Sequence, residues 1–134
     1  MKKGILFVTG GFYPELHGGS IQIRHLIKSL QKNFNTFVLS SSKIYDTSLS
    51  DISDKLKIFR LKKNNNYLLT LFNILKMILF FFLIRKKISI IHIRGFTKKV
   101  ILLILLSKIF RKKIIYSPTR YLEDDVYTLK KNFF

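Results

Sequence analysis

Between an apolar run and the first amphipathic segment the chain reads Thr9-Gly10-Gly11-Phe12-Tyr13-Pro14-Glu15-Leu16-His17-Gly18-Gly19-Ser20. Adjacent glycines ahead of a helix leave its first N–H groups bare, and bare N–H groups at the positive end of a helix bind phosphate. Glycine suits the place because a side chain would hold an anion off the backbone. Gly18, Gly19 and Ser20 are therefore the phosphate candidates, with His17 beside them as a site candidate. The same glycines serve equally as plain turn formers. The spacing is not the dinucleotide G-x-G-x-x-G, and the next strand ends in Ser40-Ser41-Ser42 with no acid to hold a ribose, which disfavours a nicotinamide cofactor.

Further along, His92 and Arg94 close an apolar strand. Either they face a ligand at the strand ends, or His92 is a satisfied core or turn histidine and Arg94 joins a basic surface. Glu123-Asp124-Asp125 has the residue types of a metal site, but contiguous acids ahead of a helix are more often capping groups. His25 lies at no ligand spacing from the other histidines, and no metal site is expected. Nor does the chain offer a nucleophile, a base and an acid as a set.

These residues need elements to hold them. Ile5 to Thr9 reads as a central strand buried on both faces. A helix begins near Ser20 as its N-cap and carries Ile23, Leu26, Ile27 and Leu30 at helical spacing. Thr36 to Leu39 is the second strand, and the polar stretch from Ser40 to Asp54 reads as a loop. Lys57 to Leu61 alternates as a third strand near the sheet edge. Asn64-Asn65-Asn66 then precedes a long helix from about Tyr67 to Arg85. Ile88 to Ile93 is the fourth strand, Thr97 caps a helix to Phe110, and Lys113 to Ser117 is the fifth strand, stopped by Pro118. Strands alternating with helices in this way predict right-handed βαβ units and a doubly wound, Rossmann-like parallel sheet of about five strands. No internal repeat stands out.

The long helix passes for a membrane span at the lower limit of length. Basic residues on both flanks (Lys62-Lys63 and Arg85-Lys86-Lys87) give no orientation, however, and a span would divide the common sheet. Thr70, Asn73 and Lys76 share one face, which suits a helix on the protein surface, and contact with lipid stays open.

The 134 residues fit one domain, and 48% hydrophobic content suffices for a core. With no cysteine, disulfides and thiolate chemistry are excluded, and a reducing cytoplasm is the expected location. Thr9-Gly10-Gly11 interrupts the N-terminal apolar run too early for a signal peptide. Lys and Arg number 25 against 7 acids, a net charge of +18, and no carboxylate occurs between Lys55 and Leu122. Such a field attracts anionic lipid or phosphorylated substrates. Nucleic acid is not the expected partner, because the basic residues are not interleaved with a recognisable nucleic-acid module.

A strand followed by Tyr13-Pro14 and then Gly18-Gly19-Ser20 opening a helix resembles the start of GT-B glycosyltransferases of family four. Ser89-Ile90-Ile91-His92-Ile93-Arg94-Gly95, then Phe96-Thr97-Lys98-Lys99 before an apolar helix, and Ile114-Ile115-Tyr116-Ser117-Pro118-Thr119-Arg120 follow in the family's order. The resemblance covers nearly the whole chain. It implies one incomplete lobe of a GT-B fold, the acceptor-side N-terminal domain over residues 1–134, without the donor-binding C-terminal lobe. It further implies transfer of a sugar, with retained configuration, from a nucleotide-sugar substrate to a glycan or lipid-linked acceptor. No metal or other cofactor would be required. Gly18 and Gly19 would approach the donor diphosphate; His17, His92 and Arg94 would lie on the acceptor side. Where many members carry a histidine after the fifth strand, this chain has Thr119 beside Arg120, leaving these two as the weak catalytic candidates. The expectation is a lobe inactive alone, completed by a separate chain or a continuation, and peripheral on the inner face of a membrane. A non-catalytic α/β module that binds anions or a membrane surface is the alternative.

Overall fold

The computed structural model describes residues 3–13, 18–42, 56–62, 66–95 and 98–118. Five strands, β1 (Gly4–Thr9), β2 (Asn35–Ser42), β3 (Leu56–Lys62), β4 (Ile88–Arg94) and β5 (Lys113–Ser117), form one sheet in the order β3-β2-β1-β4-β5. Every pairing is parallel. The connecting helices are α1 (Gly18–Leu30), α2 (Tyr67–Ile84) and α3 (Lys98–Ile109). This is a Rossmann-like α/β fold, as the alternation of patterns predicts. All six residues of β1 are buried, in keeping with a central parallel strand covered on both faces.

Strand parity sorts the core into two layers. Leu6, Val8, Leu39, Ile91 and Ile93 face α2 and α3, where they meet Met77, Phe81, Val100 and Leu103. Ile5, Phe7 and Val38 face the other way onto Ile23 and Ile27 of α1, with Phe12 closing the layer. At the amino edge of the sheet Gly4 has no room for a side chain: a Cβ there would stand 2.2 Å from the Lys87 carbonyl oxygen.

Several elements differ in detail from the sequence pattern. β2 runs on through Ser40, Ser41 and Ser42, because the main chain there pairs with Arg60, Leu61 and Lys62 of β3. Ladder hydrogen bonds outweigh the turn preference of serine at these positions. α1 opens at Gly18, so Ser20 lies buried in the first turn and is not the N-cap. Its buried stripe is Ser20, Ile23 and Ile27, while Leu26 turns outward.

The largest correction concerns α2. Asn66 caps it, accepting from the Leu68 N–H at 3.1 Å, and the Thr70 hydroxyl donates to the Asn66 carbonyl at 3.0 Å. The buried residues are Asn73, Met77, Phe81 and Ile84, at spacings of three to four. The face marked by Thr70 and Asn73 therefore turns toward the sheet, with Asn73 only 6% exposed. The outward face carries Leu68, Leu71, Phe72, Leu75, Leu79 and Leu83. Among the described residues α2 is the one helix long and apolar enough to cross a membrane, with a mean hydropathy of 2.2. It packs on a sheet containing both the strand before it and the strand after it. α3 ends with Arg111 in the left-handed region at φ 51°, where the Lys112 and Arg111 N–H groups donate back to the carbonyls of Ser107 and Lys108.

Candidate functional site

In an open parallel sheet the ligand crevice lies at the carboxyl ends of the strands, where the chain reverses its direction of winding. Here that point falls between β1 and β4: α1 leaves β1 toward one face, and α3 leaves β4 toward the other. β1 ends at Thr9 and β4 at Arg94, after which Gly95 takes a φ of 76°, a conformation suited to glycine.

The register lines up one polar residue from every strand at this edge. Arg60 pairs with Ser40, Ser40 with Thr9, Thr9 with Arg94 and Arg94 with Ser117. One step back the row is Ile58, Val38, Phe7, His92 and Ile115. The apolar layer under α1 thus gives way to a polar one within two residues of strand. Neighbouring strands lie about 4.8 Å apart, so the backbones of Arg60 and Arg94 stand roughly 14 Å from each other across the row. The Thr9 hydroxyl donates to the Gly11 carbonyl at 2.9 Å and tightens the turn after β1. The Ser40 hydroxyl and the Arg94 Nε are buried without a hydrogen-bond partner among the described residues.

Over this row lies the start of the β1–α1 connection. Arg60, 8% exposed, donates from its guanidinium to the Tyr13 carbonyl. Arg24 of α1 places its own guanidinium 4.5 Å from the centre of the Tyr13 ring. Tyr13 is held from the sheet and from the helix at once, which fixes the direction in which the chain leaves β1. Arg94 donates to the Gln22 side chain and ties the end of β4 to α1. No carboxylate occurs among the described residues, and Arg60 and Arg94 bring positive charge to this edge.

Gly18 is exposed at the N-terminus of α1, and a Cβ built there would meet nothing within 4 Å. Its φ is not in the left-handed region, nor is that of Gly19, since among the described glycines only Gly95 has a positive φ. Neither its backbone conformation nor packing against the described residues demands glycine at position 18. What glycine still provides is close access to the backbone N–H groups.

His92 lies half-buried on the α1 side, its ring 5.5 Å from that of Phe7 at an angle of 54°. Burial, followed by the positive charge of Arg94, lowers its pKa below the ordinary 6.5. The folded state therefore binds fewer protons than the unfolded state below that value, and stability rises with pH across the window. The His92 contribution is complete above about pH 6.5 and is lost as pH falls through the folded pKa. Urea midpoints measured between about pH 5 and about pH 8 should fall at the acid end, and His92→Phe should flatten that loss. An unchanged acid limb in the variant would assign the loss to other groups.

The other sequence candidates divide as follows. Gly18, Gly19 and Ser20 stand together at the opening of α1, with Ser20 facing inward. His92 and Arg94 share one strand and one face at the same edge of the sheet. His17, Thr119 and Arg120 lie outside the described residues. Among the described residues no three of His, Cys, Asp and Glu converge.

Sequence reasoning passed over Arg24, Arg60 and the Ser40 hydroxyl. A signal for Arg60 was present: in Lys57-Ile58-Phe59-Arg60-Leu61 it shares parity with Ile58, which faces the core.

No protein-family profile matches the chain, and no curated protein matches it in sequence.

Proposed function

We propose that this chain is the acceptor-side lobe of a GT-B-type glycosyltransferase, with the opening of α1 facing the diphosphate of a nucleotide-sugar. The observation that supports it is Gly18: a glycine without conformational or steric need, placed where a helix begins at the ligand edge of a Rossmann-like sheet. As the bond from sugar carbon to phosphate oxygen breaks, negative charge builds on the diphosphate. N–H groups already fixed by the helix stabilise that charge without reorganising. Arg24 and Arg60 hold the approach to this turn through Tyr13, and their positive charge favours a polyanion. His92 and Arg94, on the neighbouring strand, would meet the acceptor.

Inorganic pyrophosphate is a sufficient probe, because the proposed contact is to the diphosphate alone. Calorimetric titration should show binding to the wild-type chain. Gly18→Leu should weaken it at least tenfold with little loss of thermal stability, because a Cβ at this position meets none of the described residues within 4 Å. Equal affinity in both proteins would remove the diphosphate from this helix.

A second reading has its own observation. The outward face of α2 is a continuous apolar strip, and Arg85 lies 4.9 Å from the ring centres of both Phe82 and Phe110 at its basic end. A surface of this kind suits an anionic bilayer, so the chain would act at, or be, a membrane-surface module on the cytoplasmic side.

A further inference from the structure

On the face of the sheet opposite α1, a half-open cavity of about 560 Å³ lies between the strand ends and the N-terminal halves of α2 and α3. Its wall is aliphatic: Val8, Leu39 and Leu61 from three strands, Met77 from α2, Val100 and Leu103 from α3. Arg94 is the one ionisable residue among those that line it, and strand parity decides where its charge goes. Thr9, Ser40 and Arg94 stand in one row of the register, two residues on from Phe7 and Val38, which pack on the α1 side. Their side chains therefore turn toward α1, where Arg94 donates to Gln22. Toward the cavity these three present main chain. Ser41 has the opposite parity, that of Leu39, and so faces the cavity. Thr70, in the first turn of α2, donates its hydroxyl hydrogen to the Asn66 carbonyl at 3.0 Å and keeps an oxygen able to accept.

Three properties restrict what fits. Protein interiors are close-packed, with few voids larger than a water molecule, whereas ligand cavities run to roughly 300–1,000 Å³, so a space of this size is a binding volume. An aliphatic wall offers no partners for the N–H and C=O groups of a base or a peptide, whose burial there would be costly. With the Arg94 guanidinium on the far side of the sheet, no charged side chain among the described residues would pair with an ionic group brought into the cavity. What remains is a chain of methylenes with an uncharged polar end.

We propose that this cavity binds a long-chain alcohol, its single hydrocarbon chain against the aliphatic wall and its neutral hydroxyl beside Ser41 and Thr70. The site lies across the sheet from the N-terminus of α1 and stands whether or not sugar transfer does. It is also separate from the outward leucines of α2, which are not part of its lining.

1-Decanol below its solubility limit is the probe, titrated calorimetrically into the purified chain. From 1-octanol through 1-nonanol to 1-decanol, affinity should rise up to about fourfold per methylene, until the cavity is full. Decanoate and the decylammonium ion, whose charged ends find no partner there, should each bind at least tenfold more weakly than 1-decanol. Ile74→Trp and, separately, Leu102→Trp place a large ring at half-buried lining positions and should each weaken 1-decanol at least tenfold. The chain has no tryptophan of its own, so the fluorescence of the single introduced ring reports that each variant is folded. Exchanging Leu71, Leu75 and Leu79 together for serine should leave the affinity unchanged. Uptake of free 1-decanol alone would mark a soluble source for the ligand, and its extraction from uncharged vesicles a membrane source. Absence of saturable binding, decanoate bound as tightly as 1-decanol, indifference to both tryptophan substitutions, or loss of binding in the serine variant would overturn the assignment.

Discussion

Exchanging Leu71, Leu75 and Leu79 together for serine is expected to weaken flotation with anionic phospholipid vesicles by about a hundredfold or more. The three lie four residues apart along α2, and their exposures of 57%, 52% and 56% show that none is committed to the core. Burying a leucine side chain is worth about 1.5–3 kcal/mol, so inserting the exposed half of each contributes about 1 kcal/mol. Three together give about 3 kcal/mol, slightly more than two powers of ten in partitioning. Lys76, Arg85, Lys86 and Lys87 add about 1 kcal/mol apiece near an anionic surface, a part that salt removes and the serine substitutions do not. Thermal stability should fall by about 1 kcal/mol or less per site, the cost of the half of each side chain that already rests on the protein. If the triple variant floats as well as the parent, this face meets water, and the membrane-surface reading is lost.

The second large effect belongs to the inward side of the same helix. Phe81→Ala should lower stability by about 3–5 kcal/mol, the usual cost of emptying a buried aromatic position. Phe81 is fully buried in the α2–α3 layer, and its ring lies 5.8 Å from that of Phe110. A loss of this size is a large share of the 5–15 kcal/mol that ordinary domains possess. Its neighbour Phe82, 42% exposed, should cost about 1 kcal/mol or less on the same exchange. The pair decides which way α2 is rotated. Chemical denaturation of both variants measures the difference, and equal costs would mean the helix does not pack as described.

That rotation is where the sequence is hardest to read. Thr70, Asn73 and Lys76 are the polar residues within an apolar run, and a polar stripe normally marks the solvent side of a helix. With leucines all round, periodicity carries almost no contrast, and sheet contacts set the orientation instead. Asn73 turns inward with Met77 and Phe81, leaving the leucines outside. The strands are another matter: runs such as Ile5-Leu6-Phe7-Val8 and Ile88-Ser89-Ile90-Ile91 have no other place in a domain of this size. Their ends are less legible, since Ser40 to Ser42 belong to β2 through pairing with β3, a partner that local preference cannot foresee. Of the candidate site, the glycine turn and the His92–Arg94 strand end stand out in sequence by residue type. Arg60 does not. A buried arginine is uncommon enough that an alternating strand is first read with its cation in solvent.

The strand order also sets a timetable for synthesis. β1 is made first, yet it lies in the middle of the sheet and pairs on one side with β2 and on the other with β4, so that Gly4 meets Ile88. Translation runs at about 5–20 residues per second, so several seconds separate the completion of β2 from the arrival of β4. During that interval one edge of a strand that ends up wholly buried has no partner within the chain. Long-range parallel pairing is slow in any case. Until the fourth strand emerges, that edge is open to pairing with a strand of another chain.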